Sequence, residues 1–246
     1  MAPPIDTTHL PPAVWRADSL GHNATPALSS GFATLDAELP GSGWPIGLLT
    51  ELIAREPGIG ELRLLVPLLR QLTRERKVVL LLAPPHLPYA PALAGFGIDL
   101  DYLLVIQAAN AADRLWAVEQ TLRSTSFGAL LAWLPAERTR PEHLRRMQLA
   151  TQGASGPAFL FRAFSAQFEA SPAPLRLLLS PRPEQHLSVQ LLKRRGPVLA
   201  SPMLIRLPQP VSAITLRPVS AQAHSAGPVH GSATLGKDVS GPLRLN

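Results

Sequence analysis

Apolar runs of strand length alternate along the chain with stretches of helical periodicity, and this order constrains the fold more than any other feature. The runs are short and rich in leucine, valine and isoleucine, which is typical of strands buried on both faces of a sheet. They are LLTELI, VVLLL, LLVIQ, ALLAWL and AFLF, at residues 48–53, 78–82, 103–107, 129–134 and 158–161. Strands separated by helices favour an α/β fold with a mostly parallel, doubly wound sheet.

Three helices are predicted between these strands. The first begins near Leu62 and contains Pro67, where we expect a kink because proline lacks the N–H that an interior helical position needs. The second includes LWAVEQTLRS, whose apolar residues recur at helical spacing. The third opens with Pro141, a residue type favoured at the first helical position.

The pattern changes after Pro174, and composition marks both ends of the chain. The stretches LRLLLS, HLSVQLLKRRG and MLIRL are predicted to be antiparallel strands that finish one edge of the sheet. Residues 1–28 are interrupted by prolines and are predicted to form an arm, and residues 29–208 form the core domain. Residues 209–246 have no aromatic side chain and few charges, so we expect a disordered tail.

Several classes of chemistry are excluded by composition. The chain has no cysteine, which rules out disulfides, thiolate nucleophiles and cysteine-based zinc sites. Its seven histidines show no metal-ligand spacing, so we expect no metal site. No apolar run approaches the roughly 20 residues that a membrane-spanning helix needs. We therefore expect a soluble, cytoplasmic protein.

A net charge of +6, carried mostly by arginine, favours an acidic protein or a nucleic acid as partner. A solvated basic surface without a partner explains the same charge equally well. For Trp15, one of the binding candidates named below, the alternative is packing onto the core of its own chain. Tryptophan and arginine are enriched at binding hot spots. The candidates for binding a partner or DNA are Lys193, Arg194 and Arg195; Arg145 and Arg146, with Arg138 and Arg140 nearby; and Trp15 with Arg16 on the arm.

The stretch AREPGIGEL, residues 54–62, lies between a predicted strand and a predicted helix, as a phosphate-binding loop does. A working loop follows G-x-x-x-x-G-K-[ST], with a lysine for the β/γ oxygens and a hydroxyl for magnesium. With Gly60 as the last glycine, Arg55 replaces the first glycine, Glu61 the lysine and Leu62 the hydroxyl. A carboxylate about 4 Å from a phosphate is repelled by roughly 4 kcal/mol at an effective dielectric of about 20. We expect this loop, which also contains Gly58, to be a plain strand-to-helix turn that binds no nucleotide.

Residues 29–62 resemble the opening of the RecA recombinase core, in which a T-G-x-x-x-L-D motif, a glycine-rich turn, a strand and a phosphate loop follow in that order. The matching positions are Gly31, Leu35, Asp36, Gly43 and Gly47. The phrases LWAVEQTLRS, GALLAWLP, HLRRMQLA and LSVQLLKRRGP are similar to the ImuA family of RecA-like proteins, and the chain more distantly resembles the SulA division inhibitors. The resemblance implies a RecA-like P-loop NTPase fold.

The RecA resemblance also indicates which catalytic groups are missing. The glutamate that activates water would fall near Pro85, and the aspartate associated with magnesium would fall on Trp133. Proline cannot act as a base and an indole cannot hold a magnesium shell. The resemblance therefore implies a scaffold that is not an enzyme and has no cofactor.

The ImuA resemblance implies a non-catalytic accessory protein of SOS-inducible, error-prone translesion DNA synthesis. Its implied partners are an ImuB-type Y-family pseudo-polymerase, an error-prone C-family polymerase, RecA, and DNA through the basic residues, with no membrane. The first alternative is a SulA-like cell division inhibitor that binds the tubulin-like division GTPase. The second is an active ATPase that uses unconventional residues.

Overall fold

The computed structural model of the chain describes residues 26–124, 126–136, 138–196 and 201–210. These residues belong to the first of the two units into which the chain divides, 1–212 and 213–246. Most of the predicted arm and tail, together with Trp15 and Arg16, lies outside the described residues. The three predicted domain boundaries therefore stay predictions.

Ten strands are found in the described residues, in two sheets. The smaller sheet pairs β1 (Ala27–Leu28) with β2 (Trp44–Pro45). The larger sheet consists of β3 (Leu49–Ala54), β4 (Val79–Leu82), β5 (Leu103–Ile106), β6 (Ala129–Trp133), β7 (Ala158–Ala163), β8 (Leu175–Arg182), β9 (His186–Lys193) and β10 (Met203–Arg206). Its spatial order is β10-β9-β8-β3-β7-β6-β4-β5.

Helices cover both faces of the larger sheet, because successive strand residues point to opposite faces and both sets are apolar. The α-helices are α1 (Ala33–Asp36), α2 (Glu61–Arg74), α3 (Ala90–Gly95), α4 (Ala111–Ser124) and α5 (Pro141–Ala150). Helix α2 packs into an apolar cluster with Leu52 and Phe159, whereas α4 and α5 pack into a second cluster with Leu49 and Leu160. The predicted α/β architecture with a mostly parallel, doubly wound sheet is confirmed.

The strand β8 differs from its prediction as an antiparallel strand. It runs parallel to β3, and only β9 and β10 continue the sheet as antiparallel strands. The reason is the connection after β7, which contains a short 3-10 helix at Phe164–Phe168 and returns the chain to the amino ends of the parallel strands. This segment, residues 164–174, is called the crossover below, because it passes from β7 over β3 to reach β8.

The strand β5 was expected to be buried on both faces, and it is not. Among the described strands it pairs with β4 alone and stands at one end of the sheet, where Leu104 is 50% and Val105 39% exposed. The apolar run predicts a strand correctly but carries no information on whether a neighbour lies beside it.

Helix α2 contains Pro67 within its length. The backbone of Gly31 has a φ of +82°, and a Cβ added there would overlap the Pro67 ring. Gly31 is therefore required both for its backbone conformation and for its close approach to the helix. The expected kink at Pro67 stays a prediction.

In the described residues, no helix has both the length and the apolar character needed to cross a bilayer. The cytoplasmic location stays a prediction.

Candidate functional site

A cleft of about 230 Å³ opens where the parallel strands β3, β4, β6 and β7 end. The carboxyl ends of parallel strands are the usual ligand-binding edge of open α/β sheets. Four residues singled out from the sequence converge in its lining, namely Arg55, Glu61, Pro85 and Trp133. The positions that a RecA-type nucleotide site would use are thus brought together in space.

The loop between β3 and α2 is closed by its own carboxylate. The backbone N–H of Gly58 donates to Oε1 and Oε2 of Glu61 at 2.9 and 3.1 Å, and that of Gly60 donates to Oε2 at 3.1 Å. Glu61 is 6% exposed and is the first residue of α2. The glycine N–H groups that would surround a phosphate in a working loop therefore bind an internal anion, which the positive end of the helix also favours.

The remaining loop positions provide no replacement for the missing groups. The Arg55 guanidinium lies 4.6 Å from the centroid of the Phe164 ring, a cation–π contact with the crossover. Leu62, at the position of the hydroxyl, instead packs against the apolar core. An entering phosphate would have to displace the Glu61 carboxylate without a lysine to compensate for its charge.

The walls of the cleft are apolar and aromatic. Trp133 stacks on Phe161, with ring centroids 4.3 Å apart and an interplanar angle of 10°. Pro85 lies on the wall formed after β4, and Arg114 and Arg162 add positive charge to the lining. In the described residues, no group of three or more His, Asp or Glu side chains could hold a metal ion.

A buried ionic cluster next to the cleft was missed by sequence reasoning. Glu51, fully buried in β3, accepts hydrogen bonds from Arg162 Nη1 at 3.1 Å, Arg176 Nε at 2.7 Å and Ser171 Oγ at 2.8 Å. The signal in the sequence was a charged residue inside the predicted strands LLTELI and LRLLLS, and another, Arg162, directly after AFLF.

The ionic cluster holds the crossover against the sheet. Arg176 donates to the carbonyl oxygens of Ala166 and Glu169, and Arg162 Nη2 lies 2.7 Å from Glu169 Oε2. Glu51 lies on the central strand beneath this segment, and the strand register sets Arg176 directly beside it. The charges are buried because the crossover covers them, and they satisfy its backbone carbonyls in return.

The predicted basic run is partly engaged within the protein. Lys193 Nζ donates to Ser171 O at 2.8 Å, and Arg194 Nη1 contacts Glu38 through its carboxylate at 2.5 Å and its carbonyl at 2.7 Å. Arg195 is exposed. Two of the three side chains thus have internal partners, and the proposed binding role of the run stays a prediction.

The second basic area lies on and before helix α5. Arg145 and Arg146 are exposed, and Arg146 Nε lies 3.3 Å from Glu119 Oε2 of α4. Arg138 and Arg140 are also exposed, in the segment that precedes the helix. Three of the four arginines, Arg138, Arg140 and Arg146, come together in the lining of one pocket beside α4.

The structure defines a mixed α/β protein with a mostly parallel sheet. The loop between β3 and α2, residues 55–60, differs from a phosphate loop in binding the protein's own Glu61 carboxylate, and it is called the altered loop below. The sequence model of a family described as "Cell division inhibitor SulA" matches residues 47–156. This range runs from the turn before β3 to the residue two before β7, and it includes the loop and α4 and α5.

Individual proteins described as cell division inhibitor SulA are similar to the chain. The one from Edwardsiella piscicida is 35% identical over 92 residues, which cover 37% of this chain and 54% of that protein. The one from Pectobacterium atrosepticum is 29% identical over 124 residues, 50% of this chain and 73% of that protein. The one from Citrobacter koseri is 28% identical over 153 residues, 61% of this chain and 89% of that protein. The chain therefore spans only about half the length of the Edwardsiella relative.

These similarities contradict the predicted function. The family match and the relatives point to SulA, so the prediction of an ImuA-type factor in SOS-inducible, error-prone translesion synthesis is wrong. The partner prediction made with it, of an ImuB-type pseudo-polymerase, an error-prone C-family polymerase, RecA and DNA, is wrong for the same reason. The residues behind that prediction are strand, turn and helix residues, and such residues describe a fold that different functions share.

Proposed function

We propose that the chain is a SulA-like inhibitor of cell division that acts by binding the tubulin-like division GTPase. The observation that carries the proposal is the match of residues 47–156 to the SulA family. That range contains the altered loop, most of the cleft lining and the α4–α5 surface, so it covers the distinctive parts of the described molecule. The relatives from Edwardsiella and Pectobacterium, both described as division inhibitors, support the same assignment.

We also propose that the protein has a RecA-like fold without nucleotide chemistry. The Glu61 carboxylate on the glycine N–H groups supports this, because it occupies the place of a phosphate. Pro85 and Trp133 in the cleft support it as well, since neither supplies a base or a magnesium ligand. The protein is then a binding protein whose effect depends on stoichiometry and not on turnover.

Overproduction of the full chain in a rod-shaped bacterium tests the proposal. We expect the overproducing cells to become filamentous. In a sedimentation assay, we expect added purified protein to decrease the amount of division GTPase that pellets with GTP, and we expect this decrease to be complete at a one-to-one molar ratio. The negative control is Leu52→Asp, which places a charge in the buried core and is expected to unfold the protein. Normal division together with unchanged pelleting at excess protein would contradict the proposed function.

A further inference from the structure

A second pocket, of about 530 Å³, lies between α4 and the segment that leads into α5. It is on the sheet face opposite α2 and shares no lining residue with the cleft at the strand ends. Its lining combines the indole of Trp116 with three arginines, Arg138, Arg140 and Arg146, and one carboxylate, Glu119.

Trp116 is an exposed aromatic side chain on an otherwise ordinary amphipathic helix. Leu115, Val118 and Leu122 form the buried stripe of α4, whereas Trp116 is 66% exposed. An indole gains little from such a position in the isolated protein, but indoles are enriched at binding hot spots, where a partner covers them.

Arg138 and Arg140 project from a backbone that is held in place. Between them, Thr139 is buried and its Oγ1 donates to Pro135 O at 2.7 Å. The N–H of Arg140 donates to Nδ1 of His143 at 3.2 Å. Among the described residues, neither Arg138 nor Arg140 takes part in an ion pair. The backbone that carries the two arginines is therefore held beside the pocket before any ligand arrives, which lowers the part of the entropy cost of binding that comes from ordering the main chain.

The pocket already contains one carboxylate bound by arginine. Glu119 lies 3.3 Å from Arg146 Nε through Oε2 and 2.6 Å from Arg123 Nη2 through Oε1. This contact shows that arginines of the pocket bind a carboxylate. Because Glu119 contacts Arg146 and Arg123, Arg138 and Arg140 stay available to the carboxylates of a partner.

We propose that this pocket binds an acidic segment of a protein partner, with carboxylates on Arg138 and Arg140 and an aromatic or long apolar side chain on Trp116. Planar guanidinium groups bind carboxylates in a bidentate manner, and the indole offers the apolar face next to them. The inference rests on the proposed function, since it assigns this surface to the division GTPase as partner.

The test compares three variants of the full chain. Arg138→Glu/Arg140→Glu reverses the free charges, and Trp116→Ala removes the indole. Arg182→Glu/Arg206→Glu is the matched control, because it changes the net charge equally at exposed arginines. These arginines lie on β8 and β10, toward the opposite end of the sheet from β4 and β6, which α4 contacts. We expect both pocket variants to bind the division GTPase at least about tenfold more weakly, or about 1.4 kcal/mol, and the control to bind as the wild type does.

A fluorescein-labelled short peptide of Asp and Glu around a central Phe, read by anisotropy, separates the two contributions. We expect loss of binding when Asn and Gln replace the acidic residues, and weaker binding when Ala replaces the Phe.

A wild-type chain that binds the GTPase while both pocket variants bind it equally well would overturn this inference and leave the proposed function intact. A wild-type chain that does not bind the GTPase overturns the proposed function, and the peptide then decides whether the pocket recognises acidic segments. Preference for a single-stranded oligonucleotide over the peptide would also overturn the inference.

Discussion

The Glu61 carboxylate combines two roles that a phosphate loop divides between protein and ligand. It supplies the anion that the glycine N–H groups bind, and it begins helix α2, where negative charge is stabilised. Hydrogen bonds to a charged group contribute about 1.5–3 kcal/mol each at best, so the loop conformation depends strongly on one side chain. Glu61 thereby joins the two glycines of the loop to the start of α2.

The contribution of Glu61 can be measured with Glu61→Gln. We expect the free energy of unfolding in urea to fall by about 1–3 kcal/mol, because the amide is neutral and has only one acceptor oxygen. Glu56→Gln is the control. Glu56 lines the same cleft, but its side chain is exposed and makes no hydrogen bond with the described residues. Equal stability of the two variants would contradict the role assigned to Glu61.

The crossover from β7 to β8 depends on charged groups more than on apolar packing. The segment has only a short 3-10 helix, and Phe168 on it is largely exposed. Arg162 and Arg176 join it to Glu51 on the strand below. Burying these charges costs free energy, so the cluster determines where the crossover lies more than it adds net stability.

Removing the shared acceptor should reveal this dependence. We expect Glu51→Gln to lower the free energy of unfolding by about 3–5 kcal/mol, because Arg176 loses its carboxylate partner and Arg162 keeps only Glu169, which is partly exposed. Glu169→Gln is the control, with an expected loss of less than about 1 kcal/mol, since the Glu169 side chain is 45% exposed. Urea denaturation of both variants measures the difference, and a small effect at Glu51 would show that solvent reaches the cluster.

The segment that follows β10 packs on the loop between β3 and α2. A Cβ at Gly60 would overlap Leu207, and Arg63 of α2 donates to the carbonyl of Pro208 at 2.9 and 2.7 Å. Burial lowers the pKa of the Arg63 guanidinium, which nevertheless stays charged near neutral pH. Residues after β10 are thus packed on the loop, and they add to the groups that keep its glycine conformation fixed.

Because the Glu61 carboxylate binds the glycine N–H groups of the loop, we expect nucleotide not to change the thermal stability of the protein. We expect magnesium and ATP to leave the melting temperature of the full chain unchanged, because a ligand raises stability only in proportion to its binding to the folded state. The same titration with Glu61→Gln, which frees the glycine N–H groups, is the comparison. A rise in the wild-type melting temperature with ATP concentration would contradict the proposed loss of nucleotide binding.

The leading functional prediction failed, whereas the SulA-like alternative is the one that the similarities support. Particular residues explain why the sequence did not separate the two. The residues that support the RecA resemblance, such as Gly31 and Asp36, have structural roles: Gly31 meets Pro67, and Asp36 accepts hydrogen bonds from Ser29 and Ser30. Roles of this kind are shared by proteins with one fold and different partners, so they could not separate two related families.

The order of apolar runs determined the parallel sheet and its two helical layers, because strand burial and helical periodicity are local properties of a sequence. That Glu61 and Leu62 stand where a phosphate loop has a lysine and a hydroxyl could also be read directly. Only the tertiary structure decided that β8 is parallel, that β5 is an edge, that Glu61 closes its own loop and that Trp116 meets Arg138 and Arg140. The strand direction, the sheet edge and the Trp116 cluster depend on contacts between residues distant in sequence, which local patterns do not encode. The hydrogen bonds of Glu61 join residues at most three positions apart, but they require the left-handed backbone of Gly58 and Gly60, which residue types alone do not specify.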